Sequence, residues 1–311
     1  MKKGKESTKE KGIERRTFLK LVGGIALMLS TLAIKVKNTF AYWATPWKIT
    51  GFKNYWKGPE EAKYFVHRTV YNGMAEEGYI FARIDNWWRG YRIREAEEKF
   101  KKWWISDMTL EKEEGWPLMV GGAVLPIYAT YGNKLGRGDS QFHLNCACKG
   151  ATFVPNKEHI RDIIDELKAR ITDPEEERDE WMHGIFKDRS LWDYSKISTI
   201  EIFTNPHFET HSFLNMMENP ITNICFLGRT GFEHFELRCI TKLLCWNDPN
   251  LTQHERDISE FTNWFHCFPF GAATYPTDLI CDVFYIIEEF DNFPYTACGG
   301  RVVPPFEYEH V

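Results

Sequence analysis

The residues of this 311-residue chain best suited to chemistry begin at His207-Phe208-Glu209-Thr210-His211. If the stretch is extended, His207, Glu209 and His211 share one face; if it is helical, His207 and His211 stand one turn apart. Either way two imidazoles are offered to a divalent metal such as Zn²⁺, Fe²⁺ or Mn²⁺. It is not the H-E-x-x-H helix of zinc proteases, because the glutamate is misplaced. Two more residues extend the set. The pattern predicts a helix over Phe232–Cys245, with Glu236 at the centre of an apolar stripe formed by Phe232, Cys239, Ile240 and Leu243. A carboxylate there is costly to bury unless it is paired, protonated or metal-bound. His266 shares a predicted helical face with Glu255, Ser259 and Thr262. A helical scaffold that gathers His207, His211, Glu236 and His266 makes a bundle-type metal site. The plainer alternative pairs Glu236 with Arg238, lets the first two histidines bracket a turn after Pro206, and leaves His266 a satisfied edge residue.

Other cofactor chemistry lacks its motifs. The eight cysteines include no C-x-x-C, so haem, iron–sulfur and zinc-ribbon spacings are absent, and Cys146-Ala147-Cys148 is the one close pair. The glycines at 132, 136 and 138 complete neither a phosphate loop nor a dinucleotide fingerprint. No G-x-S-x-G elbow occurs. Glu288 and Glu289, adjacent on a predicted helix, face different ways and form no acid/base pair.

The elements that must position these groups read as mainly helical. Pro59 opens a helix to about Tyr71, and charge pairs among Arg94, Glu97, Glu98 and Lys101 support another over Arg92–Trp104. Trp87, Trp88, Trp103 and Trp104 beside that basic helix suit a partner surface or, more plainly, a solvated face at a core edge. Residues 116–153 read as glycine-rich loops with one or two short strands. Pro155–Ile171 is an amphipathic helix, and Asp173-Pro174-Glu175 starts the next. Ser198–Phe203 is a short strand. Thr252 and Glu255 form a capping box for a helix to Cys267, and Asp278–Phe290 is expected to be helical as well. The expectation is an irregular multi-helix domain, mainly α with a few short strands, over residues 42–311, with a weak subdivision near 150–156.

Residues 1–41 are different in kind. A lysine-rich start leads to Arg15-Arg16-Thr17-Phe18-Leu19-Lys20, an apolar run from Leu21 to Ile34, and small residues at Thr39 and Ala41. Fourteen apolar residues cover about 21 Å as a helix, short of a ~30 Å hydrocarbon core, so a cleaved leader fits better than a permanent span. Arg15, Arg16, Phe18, Leu19 and Lys20 resemble the twin-arginine export signal, with Glu14 where Ser or Thr is usual. The resemblance implies the twin-arginine translocase as a partner and a periplasmic or extracytoplasmic address. It also implies passengers that fold before export, commonly redox enzymes, their partner subunits and some cofactor-free proteins.

The leader holds ten basic and three acidic residues, which leaves 29 basic and 41 acidic from the chain's 39 and 44, a net charge of −12. Nucleic acid is therefore a poor partner. Three functions follow as expectations. The first is an exported accessory protein, a partner subunit or assembly factor of a redox enzyme. The second is a metal-dependent oxidoreductase or hydrolase built on His207, His211, Glu236 and His266. The third is a binding module for an apolar ligand.

Overall fold

The computed structural model describes residues 55–109, 123–132, 142–228, 233–271, 279–293 and 299–305. Arg15, Arg16, Phe18, Leu19 and Lys20, with the rest of the leader, lie outside them, as does Phe232. The described chain starts with a 3₁₀ turn at Glu60–Ala62 and then three strands, β1 (Val70–Tyr71), β2 (Tyr79–Ile84) and β3 (Trp87–Arg92). Helix α1 (Glu98–Met108) leads to β4 (Ile127–Tyr131), β5 (Leu144–Cys148) and β6 (Thr152–Pro155). Helices α2 (Ile160–Arg170) and α3 (Glu175–Lys187) follow, then β7 (Trp192–Thr199) and α4 (His211–Glu218). The chain continues with β8 (Ile221–Leu227), β9 (His234–Leu244), α5 (Gln253–Cys267), β10 (Cys281–Asp291) and β11 (Gly300–Val303). Among the described residues no helix is long and apolar enough to cross a membrane.

Sheets, not helices, organise the molecule, which corrects the mainly α expectation. One antiparallel sheet has the order β1-β2-β3; the other has eight strands, β5-β4-β8-β9-β10-β7-β6 with β11 beside β10. The two predicted helices at Phe232–Cys245 and Asp278–Phe290 are β9 and β10, the central strands. β10 is buried on both faces over residues 281–286, and β9 buries one whole face and also Ile240 and Leu244 on the other, so each reads as a nearly continuous apolar run that also satisfies helical spacing. The helix expected at 59–71 is only the 3₁₀ turn, and that at 92–104 begins at Glu98. The capped helix start expected at Thr252 is in place, whereas the helix expected from Pro155 begins only at Ile160. Thr252 and Glu255 make the reciprocal capping box of α5.

The large sheet must curl. Its edge strands β5 and β6 are joined by only Lys149, Gly150 and Ala151. Seven strands laid flat span about 29 Å between the edges, and three linking residues reach roughly 15 Å at most. The curl is visible in the packing: Tyr128 on β4 meets Phe284 on β10, three strands away, with ring centroids 5.0 Å apart. Phe226, Phe235, Leu237, Phe284 and Ile286 line the inner face. Phe100 of α1 inserts against Phe226 and Phe235 with centroids at 5.0 and 5.1 Å. The outer face of β7 and β10 is covered by α5, where Thr262 Oγ1 donates to Ser198 Oγ at 2.9 Å.

Candidate functional site

The four residues of the sequence-derived metal set are held by separate partners. His207 is exposed, with Nε2 3.3 Å from Glu60 Oε1. His211 is the first residue of α4, directly after the Thr210 cap. Glu236 lies on β9, not on a helix; its Oε1 accepts from Arg238 Nε at 2.9 Å and its Oε2 from Asn292 Nδ2 at 3.5 Å. His266 is nearly buried on α5, with Nδ1 2.9 Å from the Thr262 carbonyl. Among the described residues no group of three or more His, Cys, Asp or Glu side chains is arranged to hold a metal ion. The physical reason is the strand: period two turns Glu236 away from Phe235 and Leu237, toward Arg238 on the outer face.

His266 does join a polar cluster at the seam where the large sheet closes. A carbonyl only accepts, so Nδ1 carries the proton and Nε2 faces Glu201, 3.8 Å from Oε1. Glu201, just past β7, accepts from the Gly150 N–H at 2.7 Å through its other oxygen. The Tyr128 hydroxyl lies 3.5 Å from the Gly150 carbonyl. Burial pushes the Tyr128 phenol well above its ordinary value, and the Glu201 and Asp282 carboxyls push it further. Asp282 is fully enclosed; burial raises its carboxyl well above the usual range, and its Oδ2 has no hydrogen-bond partner. Gly150 is what permits the arrangement. A Cβ there would lie 2.4 Å from Glu201 Oε1 and 3.3 Å from His266 Nε2. Gly150→Ala is therefore expected to displace Glu201 and lose the 2.7 Å hydrogen bond, at a cost of about 1 kcal/mol in urea unfolding. In a Glu201→Ala background the same change should cost nothing further; additive losses would show that the clash is not with Glu201.

A second feature is on the surface. The small sheet turns Val70, Ile80, Ala82 and Ile84 into the core. Residues opposite one another share a face, so Tyr71, Phe81, Tyr79, Arg83, Trp88 and Arg92 gather on the solvent side. Tyr71 is 57% exposed, Trp88 53% and the neighbouring Trp87 70%. Gly90 lies beneath the Phe81 ring, which a Cβ would meet at 3.0 Å. The hairpin between β2 and β3 turns on Asp85 and Asn86, both with positive φ, the geometry of a two-residue primed turn. Its tip is fixed: Asn219 Oδ1 accepts from the Asp85 N–H at 2.9 Å and Asn219 Nδ2 donates to Asp85 Oδ1 at 3.1 Å.

No protein-family profile and no curated protein matches the chain. Among solved structures it is similar to a tagged form of HupZ from Group A Streptococcus, at 10% identity over 55% of this chain and 86% of that one, with a TM-score of 0.29. A likeness that distant carries nothing over to this chain.

Sequence reasoning missed Glu201, Tyr128 and Asp282, because nothing local says that the segments after β5 and β7 meet. The hairpin did leave a signal. Tyr79-Ile80-Phe81-Ala82-Arg83-Ile84 and Trp87-Trp88-Arg89-Gly90-Tyr91-Arg92 are two β-rich runs separated by Asp-Asn.

Proposed function

We propose that this chain is an exported accessory protein, a partner subunit or assembly factor of an extracytoplasmic redox enzyme, working by binding rather than turnover. The observation that carries the reading is the solvent face of β1–β3, where Tyr71, Tyr79 and Trp88 are exposed beside Arg83 and Arg92. Contiguous exposed aromatics mark interaction surfaces, and Trp, Tyr and Arg dominate the energetics of protein interfaces. The Arg15-Arg16 leader supports the compartment and the class of partner. Co-purification of the native protein from its host tests the proposal: a redox subunit is expected to come with it, and recovery as a lone monomer would overturn it. Trp88→Ala should leave the fold intact and weaken partner recovery about 30-fold, the cost of one interface anchor worth roughly 2 kcal/mol. Unchanged recovery would move the interface away from this face.

A further inference from the structure

Resting on the partner-protein reading, we infer that β3 takes an extended acidic segment of the partner as a fourth strand of the small sheet. Strand β3 is the edge of the order β1-β2-β3, six residues long and paired to β2 in unbroken register. Among the described residues, the backbone of 87–92 makes no hydrogen bond outside the β2 ladder. An edge of that length is a template for another strand, and proteins ordinarily blunt one with proline, a bulge or a cover. β3 has no proline or bulge, and Trp87, Trp88, Arg89, Gly90 and Arg92 are all exposed.

Charge selects the occupant. The hairpin strands carry Arg83, Arg89 and Arg92 and no acidic residue. None of these arginines makes an ion pair among the described residues, and Arg83 Nε is buried without a partner. The nearby acid, Asp85, is committed to Asn219 and to the Tyr131 hydroxyl, 3.2 Å from its Oδ2. An added peptide strand would satisfy the edge amides and carbonyls, and with acids at alternate positions would lie beside Arg92 on the solvent face of β3, with Arg83 one strand behind on the same face. About six residues, roughly 20 Å, cover the strand. A polysaccharide or polynucleotide lacks the peptide backbone that the edge is built to pair with. A second copy of β3 would bring the arginines of both chains to one sheet with no acid between them.

Fluorescence anisotropy with the intact purified protein tests this. The probe is a labelled ten-residue peptide alternating glutamate with valine. The controls are the same peptide with glutamine for glutamate, the same peptide with alternate amides N-methylated, and an oligothymidylate of equal charge. Saturable binding of the acidic peptide is expected, at least about tenfold weaker for both peptide controls and for Arg92→Glu at unchanged Tm. Equal binding of the N-methylated peptide, tighter binding of the oligothymidylate, no saturation at about 1 mM, or a dimer in sedimentation that Arg92→Glu dissolves would each overturn it. The two proposals fail separately. A native redox partner whose recovery is untouched by Arg92→Glu, with no peptide binding, removes strand addition and keeps the accessory role. Peptide binding with no partner recovered does the reverse.

Discussion

A His67→Gln variant is expected to lose a large acid-sensitive contribution that His67 makes to the stability of the wild-type chain. His67 is fully buried, and burial, with the Lys242 charge adding to it, lowers its imidazole to about 3 from an ordinary value of 6.5. The hydrogen bonds explain why no proton can be added. The Leu243 N–H donates to Nδ1 at 3.0 Å, so Nδ1 must present a lone pair, and Nε2 donates to the Met216 carbonyl at 2.9 Å. Thr69 Oγ1 sits 2.8 Å from Nε2 and itself donates to the Met217 carbonyl at 3.1 Å. An imidazolium would set two donors against each other. The folded value is depressed, so the unfolded chain binds the extra proton between pH 6.5 and 3. The stability this histidine contributes is complete above pH 6.5 and is lost as pH falls, at about 1.4 kcal/mol per pH unit and about 5 kcal/mol in all. Glutamine can accept from Leu243 and donate to Met216, so the variant should cost only about 1–2 kcal/mol at pH 7. Below pH 6.5 the gap between the two proteins should close and then reverse. Urea unfolding at about pH 7, 6, 5 and 4 measures it. A constant gap over that range would mean that His67 is protonated in the folded state.

How much of this was legible in the sequence depends on where each element takes its burial. Helices α2, α3 and α5 announce themselves because one face of each meets the core, and α5 also because Thr252 and Glu255 mark its start; Pro155, expected to open α2, instead ends β6, and α2 begins at Ile160. Strands β9 and β10 hide because each buries apolar residues on both of its faces. Leu237 and Cys239 point inward while Ile240 and Leu244 lie beneath the outer layer, and the union of the two sets fits a 3.6 period by coincidence. That single misreading moved Glu236 onto a helix and lent the four-residue metal set its coherence. His266 was legible as sharing a helical face with Glu255, Ser259 and Thr262, and it lies 3.8 Å from a carboxylate. The partner, Glu201, follows from the curl of the sheet, which the short β5–β6 link reveals only after both strands are known to be edges.

Glu289→Gln should act in the opposite pH direction. In β10 a bulge falls between Ile286 and Glu288, so that Glu289 pairs with Leu237 on the inner face while Glu288 stays outside with Arg301, 2.9 Å away. Glu289 Oε2 accepts from the Glu97 N–H at 2.7 Å, at the start of α1, and Oε1 has no partner. Burial, opposed by the Glu97 N–H and less by Lys101 and aided by the Glu97 and Asp291 charges, raises the carboxyl from 4.5 to about 7. Here the folded state binds the extra proton between pH 4.5 and 7, so stability falls as pH rises through that window, by about 3 kcal/mol. A glutamine side chain in the same place is permanently neutral: it keeps an oxygen for the Glu97 N–H and removes the ionisation. The variant should therefore match the wild type within about 1 kcal/mol near pH 4.5 and exceed it by about 3 kcal/mol at about pH 8. The windows of His67 and Glu289 overlap from pH 4.5 to 6.5 with opposite slopes, so in that interval each masks the other in the wild-type protein. Each single variant should expose the slope of the residue left behind: stability rising toward acid in His67→Gln, and falling toward acid in Glu289→Gln. Parallel pH profiles for Glu289→Gln and the wild type would place an ionised carboxylate at the foot of α1, and with it a counter-charge from Lys101 strong enough to outweigh burial.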